Sequence, residues 1–145
     1  MRGCGRGLTV YVDASVIVRF VLEQPGCFER LEQYGDRVTS RISEVECLRA
    51  VEAARLRNLL SLDEAADRRR LAYTWVHSMD RLAVTGTVLR RAGDAYPLSI
   101  KSLDALHLAS ALVWRERRAA DLVFATHDRQ QGRLAAALGF PVVGV

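Results

Sequence analysis

Short apolar runs of strand length alternate along this chain with longer segments whose apolar positions recur at helical spacing. The first run, Leu8 to Val12, is β-branched and aromatic and predicts a short buried strand. Ser15 to Leu22 follows as an apolar helix, closed by the break at Pro25-Gly26. A second short helix is predicted over Cys27 to Tyr34, ending at Gly35, and then a brief strand over Val38-Thr39-Ser40. Ser43 is placed to cap a helix from Glu44 to Leu59, with Val45, Leu48, Val51 and Leu56 on its inner face. Ser61-Leu62-Asp63-Glu64 has the cap-and-acid pattern of another helix start, reaching Met79. Leu82-Ala83-Val84 predicts a third strand, and Thr87 to Tyr96 a helix stopped by Pro97. Ser102 to Arg118 reads as a helix that is apolar on nearly every face as far as Trp114. Asp121 to Thr126 predicts a fourth strand, Arg129 to Leu138 a helix ended by Gly139, and Pro141 to Val145 a short last strand.

Strands that alternate with helices imply a parallel sheet covered on both faces, an α/β fold. Ligand crevices in such sheets lie beyond the carboxyl ends of the strands. No internal repeat, low-complexity tract or linker interrupts the pattern. A single domain over residues 1–145 is therefore expected, with residues 1–7 as a flexible tail. The glycines of Gly3-Cys4-Gly5-Arg6-Gly7 precede the first strand rather than follow it, so they lack the context of a phosphate-binding loop.

Composition narrows the class. No apolar run approaches the roughly 20 residues of a membrane span, and no signal peptide is evident, so a cytoplasmic location is expected. Cys4, Cys27 and Cys47 form no CxxC pair, and His77, His107 and His127 complete no zinc spacing. Reduced thiols are expected, with Cys47 in the core. The formal charge is +4, and all but one of the 21 basic residues are arginine, Lys101 being the exception. Arginine grips phosphate in a bidentate fork, so nucleic acid is a plausible partner. The runs Arg68-Arg69-Arg70 and Arg115 to Arg118 would serve that purpose, or serve equally as solvated faces.

Against this mild basicity, acids gather where elements meet. Asp13 closes the first strand, Asp128 follows the fourth, and Asp104 lies in the first turn of the most apolar helix. Capping alone would explain Asp13 or Asp128, and a surface pair with Arg49 would explain Glu46. For Asp104 the helix dipole returns ~0.3–1 kcal/mol, against several kcal/mol for desolvating a buried ion. His107, one turn on, suits a hydrogen-bonded core position better than a ligand. Clustered carboxylates repel one another without a cation. Oxygen donors without Cys or His favour Mg2+ or Mn2+ over zinc.

Four segments, taken in order, resemble the PIN-domain family, and in particular the VapC-type toxins of bacterial toxin–antitoxin pairs. They are Val10 to Ser15, Ser40 to Ala50, Leu103 to Ala111 and Val123 to Asp128, and the likeness runs from Thr9 to Val145. The resemblance implies a three-layer α/β/α sandwich around a mainly parallel sheet of four to five strands. It implies a metal-dependent endoribonuclease that cleaves RNA phosphodiester bonds with metal-activated water. Asp13 and Asp104 would be the main ligands of Mg2+ or Mn2+, with Glu46 and Asp128 completing the acidic pocket. Glu44, two residues before Glu46, is the rival in register. Ser15 and Thr126 would orient ligands or substrate. A VapB-like antitoxin and a homodimer are the implied partners, for which Leu56, Leu59, Leu60 and Leu62 offer apolar surface.

Two other readings stay open at this point. One is a catalytically inactive PIN-like module that binds RNA or protein. The other is an α/β phosphatase using Asp13 as nucleophile. Dehalogenase-type phosphatases want a second Asp two residues on, where this chain has Ser15.

Overall fold

The structure is a computed structural model and describes residues 7–145. All but the last residue of the expected tail therefore lies outside the described residues. The chain runs β1 (Thr9–Val12), α1 (Ala14–Val21), a single 3-10 turn (Arg30–Gln33), β2 (Asp36–Ser40), α2 (Ile42–Leu56) and α3 (Leu62–His77). It continues through β3 (Asp80–Leu82), α4 (Gly86–Ala92), α5 (Ser102–Arg118), β4 (Leu122–Ala125), α6 (Arg129–Ala137) and β5 (Val142–Val143).

The strands form one five-stranded sheet in the order β3-β2-β1-β4-β5, with every pairing parallel. Strand alternation sorts the side chains into two layers. Val10, Val12, Val123 and Ala125 pack under α1, α2 and α3 with Val16, Ile17, Cys47, Val51 and Val76. Tyr11, Val38, Leu122 and Phe124 face the other way, onto Leu108 and Leu112 of α5 and Leu134 of α6. The expected α/β/α sandwich is thus present, with five strands. Among the described residues no helix is long and apolar enough to cross a membrane.

The topology also fixes where a site belongs. From β1 the chain first winds outward through β2 and β3, then crosses back to β4 and β5 on the other flank. β1 and β4 are therefore the switch-point strands, and the crevice of such a sheet opens at their carboxyl ends.

Several elements depart from expectation. Cys27 to Tyr34 is not a helix beyond its one 3-10 turn, because its backbone is drawn elsewhere: Phe28 N–H donates to His127 Nε2 at 3.0 Å. Ser43 is not a cap. It lies inside α2, fully buried, with its hydroxyl 2.7 Å from that of Thr39 on β2. The buried stripe of α2 is Ser43, Cys47, Val51 and Ala54, whereas Val45 and Leu56 are exposed. β3 sits two residues early, at Asp80–Leu82, where its pairing with Val38 to Ser40 of β2 and the Arg41 N–H donated to the Leu82 carbonyl at 3.0 Å set its register. α4 stops at Ala92, and Tyr96 Oη–H closes back on the Arg91 carbonyl at 2.6 Å.

Candidate active site

Asp13 leaves the end of β1, where its N–H donates to the Ala125 carbonyl of β4 at 2.9 Å. Its Oδ2 accepts from Ser15 N–H at 3.0 Å, so the capping role read from the sequence is real. Capping does not use the whole group. Oδ1 faces inward, where Gln131 Nε2–H donates to it at 3.2 Å and His107 Nε2 stands 3.6 Å away. With only 3% exposure, the carboxylate depends on these partners in place of water.

Ser15 and Thr126 meet beside it, their hydroxyls 3.3 Å apart. A hydroxyl has one proton to give. Thr126 gives its proton to Gln131 Oε1 at 2.7 Å and accepts from Asp128 N–H at 3.0 Å. Ser15 Oγ accepts from His127 N–H at 3.0 Å. The turn after β4 is thereby tied to the turn after β1.

Asp128 caps α6, its Oδ1 accepting from Gln131 N–H at 2.8 Å. Together with Ser99, Ile100, Lys101, Asp104 and Gln130 it lines an open cavity of about 290 Å³. Asp104, half-buried in the first turn of α5, is raised from an ordinary 3.8 to about 6. Burial is the largest cause, followed by the charges of Asp13 and Asp128; His107 pulls the other way, and Glu46 adds a smaller rise. Asp104 therefore feels the other three acids as one anionic field.

Helix geometry separates the two rival glutamates. Residues two apart on a helix point to nearly opposite sides. Glu44 Oε2 lies 2.9 Å from His77 Nε2 at the end of α3, whereas Glu46 Oε2 lies 2.6 Å from His107 Nε2. His107 is fully buried, and its Nδ1 stands 2.7 Å from the Tyr11 hydroxyl. Burial disfavours the charged imidazole, but Asp13 and then the bond to Glu46 outweigh it, so the His107 pKa is raised. Burial, and after it the charge of Asp13, hold the Tyr11 phenol well above its usual range and keep it protonated. The Cys47 thiol, free and buried, is pushed up to about 12 by burial and then by Glu46 and Asp13. It behaves as core.

Asp13, Glu46, Asp104 and Asp128 thus share the carboxyl edge of the sheet. Asp13 and Glu46 are joined through His107, and Asp104 and Asp128 through their shared cavity. Among the described residues no three His, Cys, Asp or Glu side chains close to metal-binding spacing. The arginine runs lie elsewhere and have local partners: Arg68 pairs with Glu23 at 2.8 Å, and Arg115 covers the Phe140 ring at 4.1 Å. Sequence reasoning passed over Gln131 and Tyr11, both fully buried. Gln131 sits three residues after a capping Asp, where a capping-box Glu or Gln belongs. Tyr11 alternates with Val10 and Val12, which turns it toward α5.

An all-parallel α/β/α sandwich with carboxylates at its switch point is the class of fold and site, and the sequence narrows it to one family. The sequence model of the PIN domain matches residues 10–137, and the chain belongs to the PIN-domain family. Among characterised relatives, Ribonuclease VapC46 of Mycobacterium tuberculosis (strain ATCC 25618 / H37Rv) is 30% identical over 139 residues. That alignment covers 92% of this chain and 95% of the relative.

Proposed function

We propose that this protein is a metal-dependent endoribonuclease, the toxin of a VapBC-type toxin–antitoxin pair. The observation that carries the reading is the gathering of Asp13, Glu46, Asp104 and Asp128 at the carboxyl edge of a PIN-domain sheet, where burial and then the charges of Asp13 and Asp128 raise the Asp104 carboxyl. Such crowding is unfavourable by itself and is relieved by a cation. The donors are carboxylate and hydroxyl oxygens, and the one buried imidazole already has partners on both nitrogens. That set suits a hard divalent ion, Mg2+ or Mn2+.

Asp13 and Asp104 are the main ligands in this reading, and Glu46 and Asp128 complete the pocket directly or through water. Glu46 is preferred to Glu44, whose carboxylate is turned to His77. A divalent ion held by these carboxylates would supply a more acidic water at neutral pH and would offset charge on the scissile phosphate. Ser15 and Thr126 orient the Asp13 carboxylate and hold the turns after β1 and β4 in register. The RNA approaches along the open cavity, where Lys101 flanks Asp104 and Asp128. A VapB-like antitoxin is the expected partner in the cytoplasm. Leu56, Leu59 and Leu62, exposed around the α2–α3 turn, give apolar surface to it or to a homodimer.

The test is induced expression with and without the product of the adjacent gene, followed by mapping of new RNA 5′ ends. New ends are expected only when the toxin is unopposed, and they disappear with Asp13→Ala or Asp104→Ala. Undiminished cleavage by both variants would remove the mechanism.

A further inference from the structure

Of the buried groups around the pocket, His107 has the most constrained surroundings. It shares a face of α5 with Asp104, three residues earlier. Its partner from the sheet is Tyr11, whose ring is fixed by stacking on Phe124 with centroids 5.3 Å apart and planes 10° apart. The two ring planes of Tyr11 and His107 meet edge-on at 73°. That brings the hydroxyl to His107 Nδ1 at 2.7 Å.

A protonated phenol that donates to Nδ1 leaves the neutral ring's proton on Nε2. The Nε2–H then points at two carboxylates: Glu46 Oε2 at 2.6 Å and Asp13 Oδ1 at 3.6 Å. One comes from α2 and the other from the end of β1. Side by side they repel. The Glu46 side chain keeps 20% of its exposure and, in a metal-free pocket, would otherwise turn outward to water. Among the described residues, His107 is the hydrogen-bond partner of the Glu46 carboxylate.

We infer that His107, locked in place by Tyr11, is a positioning residue that clasps Glu46 beside Asp13 and so sets the pocket for its divalent ion. The inference rests on the nuclease reading above and adds residues to it that touch neither ion nor RNA. Groups that orient metal-binding carboxylates are ordinarily worth about 10–100-fold in affinity or activity.

The experiment uses the full chain and reads more than turnover. In chelator, at alkaline pH where the ring is neutral, 15N–1H spectra of labelled histidine are expected to show a protected Nε2–H and an unprotonated Nδ1 for His107, with the Nε2–H less protected in Tyr11→Phe, where the ring is no longer held. Calorimetric titration with Mn2+ is expected to give His107→Leu an affinity lower by about 10–100-fold. Its kcat falls in step while KM for RNA holds. His107→Gln keeps an N–H donor near the Nε2 position and recovers part of both losses. Tyr11→Phe, which removes one oxygen and should fold even where the leucine variant does not, gives a smaller loss in the same direction. Wild-type Mn2+ affinity in folded His107→Leu or His107→Gln, and in Tyr11→Phe, overturns the clasp while leaving the nuclease reading intact. A wild-type protein that takes up no Mn2+ and cuts no RNA overturns both.

Discussion

Asp104 is where burial and charge conflict most directly. Its folded-state pKa, about 6, lies above the ordinary 3.8 because of burial and the nearby Asp13 and Asp128. A carboxyl raised in this way binds its proton more tightly in the folded chain than in the unfolded one. Its favourable contribution is complete at acid pH and is lost as pH rises from about 4 to about 6. Above that window the ionised group weakens the metal-free fold by a constant amount. Asp104→Asn, fixed in the neutral form, should therefore be more stable than wild type at pH 7 in chelator and nearly level with it at pH 4. Urea unfolding at the two pH values measures this. A difference that does not change with pH would mean that Asp104 is not under its neighbours' field.

At the scale of elements, two substitutions separate what holds the fold from what shapes the site. Ser61 and Glu64 close a reciprocal capping box at the start of α3, far along the chain from the acids. Ser61→Ala should cost about 1 kcal/mol of stability and leave kcat unchanged. Gly144 follows β5 at φ +96, where an added Cβ would stand 2.4 Å from the Thr126 carbonyl oxygen. Gly144→Ala should cost about 1–3 kcal/mol and also lower kcat, because the backbone that must give way carries Thr126. Denaturation midpoints and kcat together test the contrast; a kcat as intact as that of Ser61→Ala would disconnect the last strand from the site. The capping signals at Ser61, Asp13 and Asp128 were legible from the sequence because a cap is a local arrangement. So was α5, apolar enough that tertiary packing could not redirect it. The inner face of α2 was not legible, since the buried hydroxyl of Ser43 is satisfied by that of Thr39 on β2, a partner in another element. The same holds for the site. Asp13, Asp104 and Asp128 stood out at element boundaries, but Glu46 rested on the family resemblance and separates from Glu44 only once α3 offers His77 to one and α5 offers His107 to the other. Tyr11 and Gln131 act on partners far away in sequence, which no local pattern announces.

For the molecule as a whole, the sheet order forces the conflict that gives the site its chemistry. Winding outward from β1 and returning to β4 brings the Asp13 and Asp128 turns side by side, while α2 and α5 bring Glu46 and Asp104 from opposite layers. A chain with a formal charge of +4 thus carries a concentrated negative pocket, and the arginines spread elsewhere do not neutralise it. If the pocket takes the proposed ion, binding and folding are linked, because the pocket exists only in the native state. At a hundred times its Kd, a site-bound ion adds about 2.7 kcal/mol to the folded state. For a domain of this size that raises Tm by roughly 5–10 °C. Differential scanning calorimetry with Mg2+ or Mn2+ should show such a rise at pH 7.5, reversed by chelator. NaCl at matched ionic strength should give much less, since screening acts weakly between partly buried charges. In the doubly substituted Asp13→Asn/Asp104→Asn protein the metal-free Tm should already be higher and the ion should add little. A rise of equal size with NaCl, or in the doubly substituted protein, would show that the acids repel one another without forming a cation site.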